Sequence, residues 1–363
     1  MPIQKITIEE FFKLAKQYPV LDVRSPGEYS HAHIPTAYSL PLFTDEERKQ
    51  VGTAYKQQSR EAAIKIGLDY FGVKMRKMVE EVEALIVARK LLAAEQDPSN
   101  NEQQITNTVL VHCWRGGMRS AAVAWLLDMY GFKVHLLTGG YKAYRKWVLA
   151  QFEKDYNFNI IGGYTGSGKT LLLHELQKQN KIIIDLEDLA AHKGSAFGAI
   201  PGRPQPGQEM FENFLAEKLY EKAGAAAIYL EDESQRIGNV QIPMPLWHSI
   251  RKCPLFFIDI PFEARLEYIV QEYGKEDKDI LKAAILRIQK RLGGLETKNA
   301  TRFLDEDDHK ASFHILLNYY DKWYTKALQK RENIDLLLNK IPCAVVDSET
   351  NTQKLLSCQF ANL

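Results

Sequence analysis

The sequence predicts an α/β protein of two domains, with an N-terminal α/β domain over residues 1–150 and a C-terminal doubly wound α/β domain over residues 151–363. Three observations support this fold class. Short apolar strand patterns alternate with helical patterns, which favours parallel sheets covered by helices. Two different Gly-rich loops, fifty residues apart, each follow an apolar strand and precede a helix. A chain of 363 residues is also long enough for two domains of ordinary size.

The composition is that of an ordinary globular protein, with 45% hydrophobic and 26% charged residues. The net charge of +1 gives no bulk attraction to nucleic acid or membrane, so a polyanion would have to meet a local basic patch. The four cysteines, Cys113, Cys253, Cys343 and Cys358, form no C-x-x-C pair, which argues against a zinc site or a disulfide framework. No signal peptide is evident in residues 1–17, and no apolar run approaches the length of a membrane span. We therefore expect a cytoplasmic protein without a membrane partner.

The N-terminal domain begins with a helical pattern over residues 8–16. Strand patterns follow at residues 19–24, 108–112 and 133–137, and a helix is predicted between the last two, over residues 120–130. Gly131 is the expected C-cap of that helix. Such strand–helix–strand units predict a parallel sheet covered on both faces.

A long helical insertion is predicted at about residues 45–94, followed by a polar surface loop at residues 95–104. Charge on a helix usually means no more than solvation, so a solvated insertion is the favoured interpretation. The alternative is a substrate-facing element that carries Lys56, Arg60, Lys65, Lys74, Arg76 and Lys77.

The C-terminal domain is predicted to follow a connecting helix at residues 147–156. Strands are expected at residues 158–162, 181–185, 226–230, 255–260 and 344–347. Helices are expected at residues 170–179, 208–222 and 246–251, with a helical segment at about residues 261–332 and a Gly/Pro-rich loop at residues 194–207.

The first Gly-rich loop begins with a thiol and reads Cys113-Trp-Arg-Gly-Gly-Met-Arg-Ser120. The backbone N–H groups of such a turn, with the N-terminus of the following helix, lower a thiol pKa and stabilise a bound anion. A free cysteine is more often buried and inert, but a Gly-Gly turn flanked by two arginines favours a reactive Cys113. The predicted anion-loop residues are Arg115, Gly116, Gly117, Arg119 and Ser120.

Three stretches around this loop resemble rhodanese domains. They are residues 21–29 (Leu-Asp-Val-Arg-Ser-Pro-Gly-Glu-Tyr), residues 33–35 (His-Ile-Pro) and residues 137–143 (Leu-Thr-Gly-Gly-Tyr-Lys-Ala). The resemblance implies a rhodanese-like fold in which Cys113 takes the place of the persulfide cysteine. The Cys-x5-Arg loop is one residue longer than that of common sulfurtransferases and nearer to Cdc25-type phosphatases, so both activities stay open.

The second Gly-rich loop is a full match to the phosphate-binding pattern G-x-x-x-x-G-K-[ST], between an apolar strand and a helix. Its glycines let backbone N–H groups approach phosphate oxygens, Lys169 supplies a point charge, and the Thr170 hydroxyl is placed to ligate Mg²⁺. We expect no tightly bound cofactor and keep Mg²⁺ as a candidate ion, with no metal site assigned. The predicted phosphate-binding residues are Gly163, Gly166, Ser167, Gly168, Lys169 and Thr170.

Two further stretches should lie at the carboxyl ends of strands, where α/β folds bind ligands. One contains Asp185 and His192, and the other contains Glu231, Asp232 and Arg236. Asp185 and Asp232 are the candidates for the magnesium-binding aspartate of a nucleotide hydrolase, and neither stands out. We weigh a supporting role in the site equally against capped helix starts with surface acids.

The combination of both domains resembles the tRNA 2-selenouridine synthases. Besides the two loops, the resemblance is carried by residues 46–57 and by the stretch from Asp185 through His192 to Gly198. It implies that the 2-thio sulfur of the tRNA wobble uridine is replaced by selenium from selenophosphate. It also implies an S-geranyl intermediate made with geranyl diphosphate.

On this resemblance, residues 163–170 are expected to hold the diphosphate of geranyl diphosphate. Cys113 receives or guides selenium, with Arg115 and Arg119 on the phosphate of selenophosphate. The tRNA is expected to bind at local basic patches, either on the insertion helices or on late helices with nearby aromatic residues that are more often core than stacking platforms. The late candidates are Lys282, Arg287, Lys290, Arg291, Lys298 and Arg302, with Tyr319, Tyr320, Trp323 and Tyr324.

Two other classes of protein remain open at this stage. One is a rhodanese-type sulfurtransferase or phosphatase fused to an ATP-dependent P-loop kinase that acts on a small molecule. The other is a nucleotide-gated binding module with a vestigial rhodanese domain. Nucleotide hydrolysis without tRNA would favour the first, and an unshifted pKa of Cys113 would favour the second.

Overall fold

The computed structural model describes residues 3–96, 107–193, 198 and 203–360. The chain forms two compact units, Met1–Ala150 and Gln151–Leu363. Both are α/β with parallel sheets, and the second has a helical C-terminal part, which confirms the predicted fold class.

Unit 1 begins with a short strand and a helix whose capping box joins Thr7 and Glu10. Its elements are β1 (Gln4–Ile6), α1 (Ile8–Ala15), β2 (Val20–Asp22), α2 (Pro26–His31), β3 (Ala37–Ser39), α3 (Asp45–Gln57), α4 (Arg60–Gly72), α5 (Met75–Gln96), β4 (Thr108–His112), α6 (Met118–Tyr130), β5 (Lys133–Leu137) and α7 (Gly140–Gln151).

Among the described residues of unit 1, five parallel strands form one sheet in the order β1-β5-β4-β2-β3. Strand β4 is buried along its whole length because helices cover both faces of the sheet. Gly131, at φ 113°, ends α6 in the left-handed conformation, which confirms the predicted C-cap.

The insertion predicted as one helical stretch is three helices, α3, α4 and α5. The break between α3 and α4 falls at Gln58 and Ser59, where the Ser59 hydroxyl accepts from the N–H of Ala62 and caps α4. The predicted surface loop at residues 95–104 lies, from residue 97 onwards, outside the described residues.

Unit 2 begins with the strand that leads into the phosphate loop. Its elements are β6 (Phe158–Gly162), α8 (Lys169–Lys178), α9 (Leu186–Leu189), α10 (Gln208–Glu221), β7 (Ile228–Glu231), β8 (Arg236–Ile237), β9 (Val240–Gln241), α11 (Met244–Arg251), β10 (Leu255–Asp259), α12 (Phe262–Tyr273), α13 (Lys278–Leu292), α14 (Gly294–Asp305), α15 (His309–Gln329), α16 (Ile334–Leu337), β11 (Leu338–Pro342) and α17 (Ser348–Phe360).

The main sheet of unit 2 has four parallel strands among the described residues, in the order β11-β10-β6-β7. In this sheet β7 lies on one side of β6, and β10, which comes later in the chain, lies on the other side of β6. The carboxyl end of β6 is therefore a topological switch point, where open α/β sheets bind ligands. The phosphate loop begins there.

Several predicted elements of unit 2 differ in the structure. The last strand is β11 rather than residues 344–347, because β11 is an edge strand that tolerates the polar Asn339 and Lys340. The strand predicted at residues 181–185 reduces to one bridge between Ile183 and Tyr229, because Asp185 already caps α9. The connecting helix ends at Gln151. Most of the predicted loop at residues 194–207, namely residues 194–197 and 199–202, lies outside the described residues.

Candidate functional site

The first candidate site is the loop that follows β4, where Cys113 is buried at 3% exposure. Its Sγ lies 3.1 Å from Oγ of Ser120, and that hydroxyl lies 3.1 Å from the carbonyl oxygen of Gly117. Ser120 is also buried, on the first turn of α6. The sequence-predicted neighbours therefore do meet, with the thiol facing the start of a helix.

The surroundings of Cys113 favour its thiolate. Burial raises the pKa of Cys113, but hydrogen bonds from the side chain and backbone of Ser120, the backbone of Arg115 and the charge of Arg119 outweigh it. The net effect is a pKa below the ordinary value of a cysteine. This is the environment of a reactive thiol.

Backbone hydrogen bonds and close packing from the turn of residues 139–141 hold the cysteine loop in place. The N–H of Tyr141 donates to the carbonyl of Cys113 at 2.8 Å, and the N–H of Lys142 donates to the carbonyl of Trp114 at 2.9 Å. Gly140, at φ 56°, packs so closely that a Cβ there would lie 2.3 Å from the carbonyl oxygen of Cys113. The C-terminal rhodanese motif thus acts on the site by fixing the loop's backbone.

The N-terminal rhodanese motif contributes a buried ion pair. Arg24 contacts Asp22 through Nη2 at 2.6 Å, donates to the carbonyl of Ala32 at 2.8 Å and lies 3.8 Å above the ring of Tyr141. Asp22 and Arg24 are both fully buried. Because this pair connects β2, the end of α2 and α7, we interpret the motif as structural support beside the reactive loop.

The two arginines of the cysteine loop differ in their surroundings. Arg119 donates from Nη1 to Glu28 at 2.6 Å, and Glu28 also contacts Nε of Arg48 at 2.9 Å. Arg115 is exposed and has no side-chain partner among the described residues. Arg115 therefore has no acidic partner to give up before it pairs with a phosphate, whereas Arg119 would have to release Glu28 or be shared with it.

The second candidate site is the phosphate loop after β6. Gly163, Gly166 and Gly168 have φ angles of 154°, 80° and 73°, which a side chain would disfavour. A Cβ at Gly163 would lie 2.4 Å from the Oγ of Ser167. Nζ of Lys169 lies 3.3 Å from the carbonyl of Gly163. The loop therefore has the compact backbone that a phosphate cradle requires.

Asp232 stabilises the phosphate loop through two fixed partners. The hydroxyl of Tyr324 donates to its Oδ2 at 2.7 Å, and Nη1 of the buried Arg331 contacts its Oδ1 at 3.2 Å. The same Tyr324 hydroxyl accepts from the N–H of Gly163 at 3.2 Å. Both oxygens of Asp232 are therefore engaged. The sequence pattern favours a core position for Tyr324 over a base-stacking one and gives no sign of this contact, because nothing local connects Tyr324 to a loop 161 residues earlier.

A buried arginine, Arg265 on α12, also fixes this loop, and sequence reasoning missed it. It donates from Nη1 to the carbonyl of Thr165 at 2.9 Å and forms two hydrogen bonds with Asp321, at 3.0 and 2.7 Å. An arginine in an amphipathic helix carries no signal in sequence that distinguishes this role from ordinary solvation.

A group of carboxylates lies beside Lys169 and Thr170. The Thr170 hydroxyl donates to Glu187 at 3.2 Å. Burial first, then Glu233, raise the pKa of Glu187 to about 8, although Lys169 opposes them. Glu231 is 1% exposed, neither of its oxygens has a hydrogen-bond partner, and burial and then Glu187 raise its pKa well above the ordinary value. A buried carboxyl without a partner, such as that of Glu231, is a candidate for a ligand-dependent role.

The carboxylates fit a magnesium ion bound with a phosphate ligand. Among the described residues no group of three His, Cys, Asp or Glu side chains is arranged to hold a metal ion. Mg²⁺ nevertheless needs only one or two carboxylates when substrate phosphates and waters complete its shell. Thr170 with Glu187 and Glu231 supplies that set of oxygens.

The other predicted supporting residues lie away from the cleft, and two of them, Asp185 and Arg236, have structural partners. Asp185 caps α9 by accepting from the N–H of Asp188 at 2.7 Å and contacts His174 at 2.9 Å. Arg236 is exposed on β8 and donates to the carbonyl of Gly238. His192 is buried, and burial and then the charge of Arg287 lower its pKa. None of these three lines the cleft at the phosphate loop.

That cleft has a volume of about 880 Å³ and joins two kinds of surface. One end is the phosphate loop with Lys169 and Thr170. The wall beyond it comes from α12 and α15 and is mainly apolar and aromatic, including Tyr268, Ile269, Tyr273, Phe313, Leu316 and Tyr320.

Part of each predicted basic patch is paired with acids. On the insertion helices, Lys74 contacts Glu47, and Arg76 lies 2.8 Å from Glu80. On the late helices, Lys282 contacts Asp305. Exposed pairs of this kind are typical of solvated helix faces.

The fold and the two sites define a class of protein in which a rhodanese-like domain with a Gly-rich cysteine loop is joined to a P-loop domain with an apolar cleft. The family model for rhodanese-like domains matches residues 7–146, and the model described as "tRNA 2-selenouridine synthase AAA domain" matches residues 156–347. The chain belongs to the tRNA 2-selenouridine synthase family.

Three relatives named tRNA 2-selenouridine synthase illustrate the similarity. The protein of Serratia proteamaculans is 35% identical over 86% of this chain and 87% of its own length. The protein of Bdellovibrio bacteriovorus is 33% identical over 91% of both chains. The protein of Nitrosomonas europaea is 36% identical, over 70% of this chain and 63% of its own length. Within residues 3–96, 107–193 and 203–360, no helix combines the length and the apolar character needed to cross a bilayer.

Proposed function

We propose that this protein is a transferase that modifies the wobble uridine of tRNA, replacing the 2-thio sulfur by selenium. Membership of a family named for 2-selenouridine in tRNA supports the substrate and the product. In this proposal the sulfur is first alkylated by geranyl diphosphate, and selenium from selenophosphate then displaces the S-geranyl group.

The observation that carries the proposal is the cleft in unit 2. It places a phosphate loop and an apolar, aromatic wall in one cavity of about 880 Å³. A prenyl diphosphate has a diphosphate at one end and an apolar chain at the other, so it matches both surfaces. Nucleotide hydrolysis is less well supported, since both oxygens of Asp232 are held by Tyr324 and Arg331.

The chemistry of the first step follows from the charges at the loop. The sulfur of the thiouridine attacks C1 of the geranyl chain, the C1–O bond breaks, and pyrophosphate leaves. The backbone N–H groups of the loop and Lys169 stabilise the negative charge that develops on the leaving group. When Mg²⁺ is bound with the diphosphate, it neutralises part of the same charge. Thr170, Glu187 and Glu231 are the residues that would hold the ion.

The second step is assigned to the cysteine loop. The lowered pKa of Cys113 makes its thiolate available to guide the selenium donor by charge and hydrogen bonding, with no S–Se bond formed and selenium kept at the selenide level. The loop's N–H groups and the exposed Arg115 are available for the phosphate that selenophosphate releases. The selenium of selenophosphate attacks C2, the C2–S bond breaks and the S-geranyl group leaves as geranyl thiolate. Water then cleaves the Se–P bond, so that phosphate leaves and selenium stays on C2.

The test is mass spectrometry of tRNA nucleosides after each step. With geranyl diphosphate alone, the wild-type protein should give S-geranyl-2-thiouridine, and addition of selenophosphate should give 2-selenouridine. Lys169→Ala should lose the first step but selenate tRNA that is already geranylated. Cys113→Ala should geranylate and fail to selenate.

Lys178→Ala is the matched control, because Lys178 lies on the same helix, is paired with Glu175 on the surface, and does not line the cleft. It should behave as the wild type. Geranylation at the wild-type rate by Lys169→Ala would overturn the assignment of the phosphate loop.

A further inference from the structure

Two helices of unit 2 present tryptophans and cations together at the mouth of the cleft. Helix α11 contributes Trp247, Arg251 and the following Lys252, while α15 and its C-terminal end contribute Trp323, Lys326 and Lys330. Nη2 of Arg251 donates to the carbonyl of Ala327 at 3.0 Å, so the two helices meet at this point. We call these six residues the tryptophan rim.

The rim belongs to the same cleft as the phosphate loop. Five of its six residues, all except Lys326, line that cleft. The sixth is joined to Trp323, since Nζ of Lys326 lies 5.1 Å above the Trp323 ring. A ligand on the rim therefore reaches the cavity that holds Lys169 and Thr170.

The indole of Trp323 is 45% exposed. It has a cation at one side and packs edge-on to Tyr319 at a centroid distance of 6.3 Å. Trp247 is half-buried, with the guanidinium of Arg251 5.5 Å from its ring. Neighbouring side chains thus fix the positions of both rings, and part of the Trp323 ring remains exposed to solvent.

The charges of the rim suit a polyanion. Lys252, Lys326 and Lys330 are exposed, and no ion pair joins them to an acid in the described part of the chain. Of the acidic residues that line the cleft, Glu332 is nearest in sequence to these three lysines. Of the predicted late candidates, Trp323 belongs to the rim, whereas Lys282 is paired with Asp305.

Exposed aromatic rings interleaved with cations form the usual surface for single-stranded nucleic acid. Bases stack on the rings, and lysines meet the phosphates. We propose that the tryptophan rim binds the unpaired anticodon nucleotides of the tRNA. A base stacks on Trp323, and Lys252, Lys326 and Lys330 contact the backbone.

This inference rests on the proposed function and specifies where the tRNA meets unit 2. The sulfur of the wobble uridine must come within bonding distance of the geranyl C1 atom in the cleft. A base within a duplex cannot enter a cavity of this kind, whereas a loop nucleotide can be splayed out. The rim lies where such a nucleotide would pass.

The test is fluorescence anisotropy of the full-length protein with a labelled anticodon stem–loop RNA that carries 2-thiouridine, over a series of salt concentrations. Trp323→Ala should weaken binding about 5- to 150-fold, which corresponds to the loss of one stacked base. Trp323→Phe should restore most of the affinity, because a phenyl ring also stacks.

The double variant Lys326→Ala/Lys330→Ala tests the same surface without altering a packed ring. It should weaken binding and reduce the slope of log Kd against log salt by about 1.4, or 0.7 for each phosphate contact on a single strand. The matched control is Lys178→Ala/Lys218→Ala, two lysines of α8 and α10 that are paired with Glu175 and Glu221 outside the cleft and should leave the slope unchanged.

Binding of geranyl diphosphate, measured by calorimetry on the same variants, separates the two proposals. Unchanged RNA affinity in both Trp323→Ala and the lysine double variant, with geranyl diphosphate still bound, would overturn the rim and leave the proposed function intact. Failure of the wild-type protein to bind geranyl diphosphate would instead overturn the assignment of the cleft. A loss of RNA affinity in the control variant equal to that in the rim variant would also count against the rim.

Discussion

The hydroxyl of Tyr324 lies 2.7 Å from Oδ2 of Asp232 and also accepts a hydrogen bond from the N–H of Gly163. Tyr324 belongs to α15, Asp232 follows β7, and Gly163 begins the phosphate loop. One buried hydroxyl thus joins the helical part of unit 2 to the first residue of the loop. The conformation of the phosphate loop therefore depends on a helix that is remote from it in sequence.

Tyr324→Phe should destabilise the protein by about 1–3 kcal/mol, because it leaves the N–H of Gly163 and one oxygen of Asp232 without their partner. The free energy of unfolding in urea measures this loss. The same variant should bind pyrophosphate more weakly, since the loop's first N–H is no longer held. Tyr130→Phe is the control, because Tyr130 is exposed and hydrogen-bonds Glu83 on the surface of unit 1. An equal loss of stability in both variants would contradict the role of Tyr324.

Ser120→Ala should raise the pKa of Cys113 by removing the hydrogen bond that most favours the thiolate. The rate of iodoacetamide alkylation against pH reports this pKa, with Cys113→Ala subtracted as the background of the other cysteines. The wild-type midpoint should lie below that of an ordinary cysteine, and the variant midpoint should lie higher. Coincident midpoints would show that Ser120 does not activate the thiol.

Gly140→Ala should be severely destabilising in unit 1. The new Cβ would lie 2.3 Å from the carbonyl oxygen of Cys113 and 2.6 Å from the N atom of Gly116, at a φ of 56° that disfavours a side chain. We expect a loss of more than about 3 kcal/mol, from strain and displaced backbone together. Gly117→Ala is the control within the same loop, since φ is −98° there and no atom lies within 4 Å of the added Cβ. A Gly140→Ala variant as stable as this control would rule out the close contact.

Glu231→Gln should stabilise the ligand-free protein at pH 8. Folding raises the pKa of this carboxyl, so at low pH the group is neutral in both the folded and the unfolded protein. As pH rises above the ordinary carboxyl pKa of about 4, the unfolded protein releases the proton first. The group therefore lowers the free energy of unfolding progressively, up to the pKa of the folded state. For Glu187 that folded value is about 8. The wild-type melting temperature should therefore fall between about pH 5 and pH 8, and the variant, with one carboxylate fewer, should fall less.

The same variant should bind pyrophosphate less tightly in the presence of Mg²⁺, because an oxygen ligand of the ion is lost. Calorimetry with and without Mg²⁺ measures this difference. Glu175→Gln is the control, since Glu175 is paired with Lys178 on the surface of α8. If Glu231→Gln melted at a lower temperature than the wild type at pH 8, the carboxylate would have a structural partner, and the proposed ion site would be wrong.

The sequence by itself determined the fold class and the positions of the two loops, because both depend on local patterns. The apolar runs of β4 and β6 predict buried strands, and the glycine spacing after them predicts turns at the carboxyl end of a sheet. The last strand was wrongly predicted, since β11 is an edge strand and its Asn339 and Lys340 interrupt the apolar pattern. Local hydrophobicity cannot reveal which strand occupies an edge.

Only the tertiary structure decided which side chains surround each loop. Glu28 reaches Arg119 across 91 residues, and Tyr324 reaches Gly163 across 161 residues. The unpaired carboxylate of Glu231 and the open ring of Trp323 likewise appear only once the helices are packed. The physical reason is that strand and turn propensities act over a few neighbouring residues, whereas burial, pairing and pKa shifts depend on contacts between distant segments.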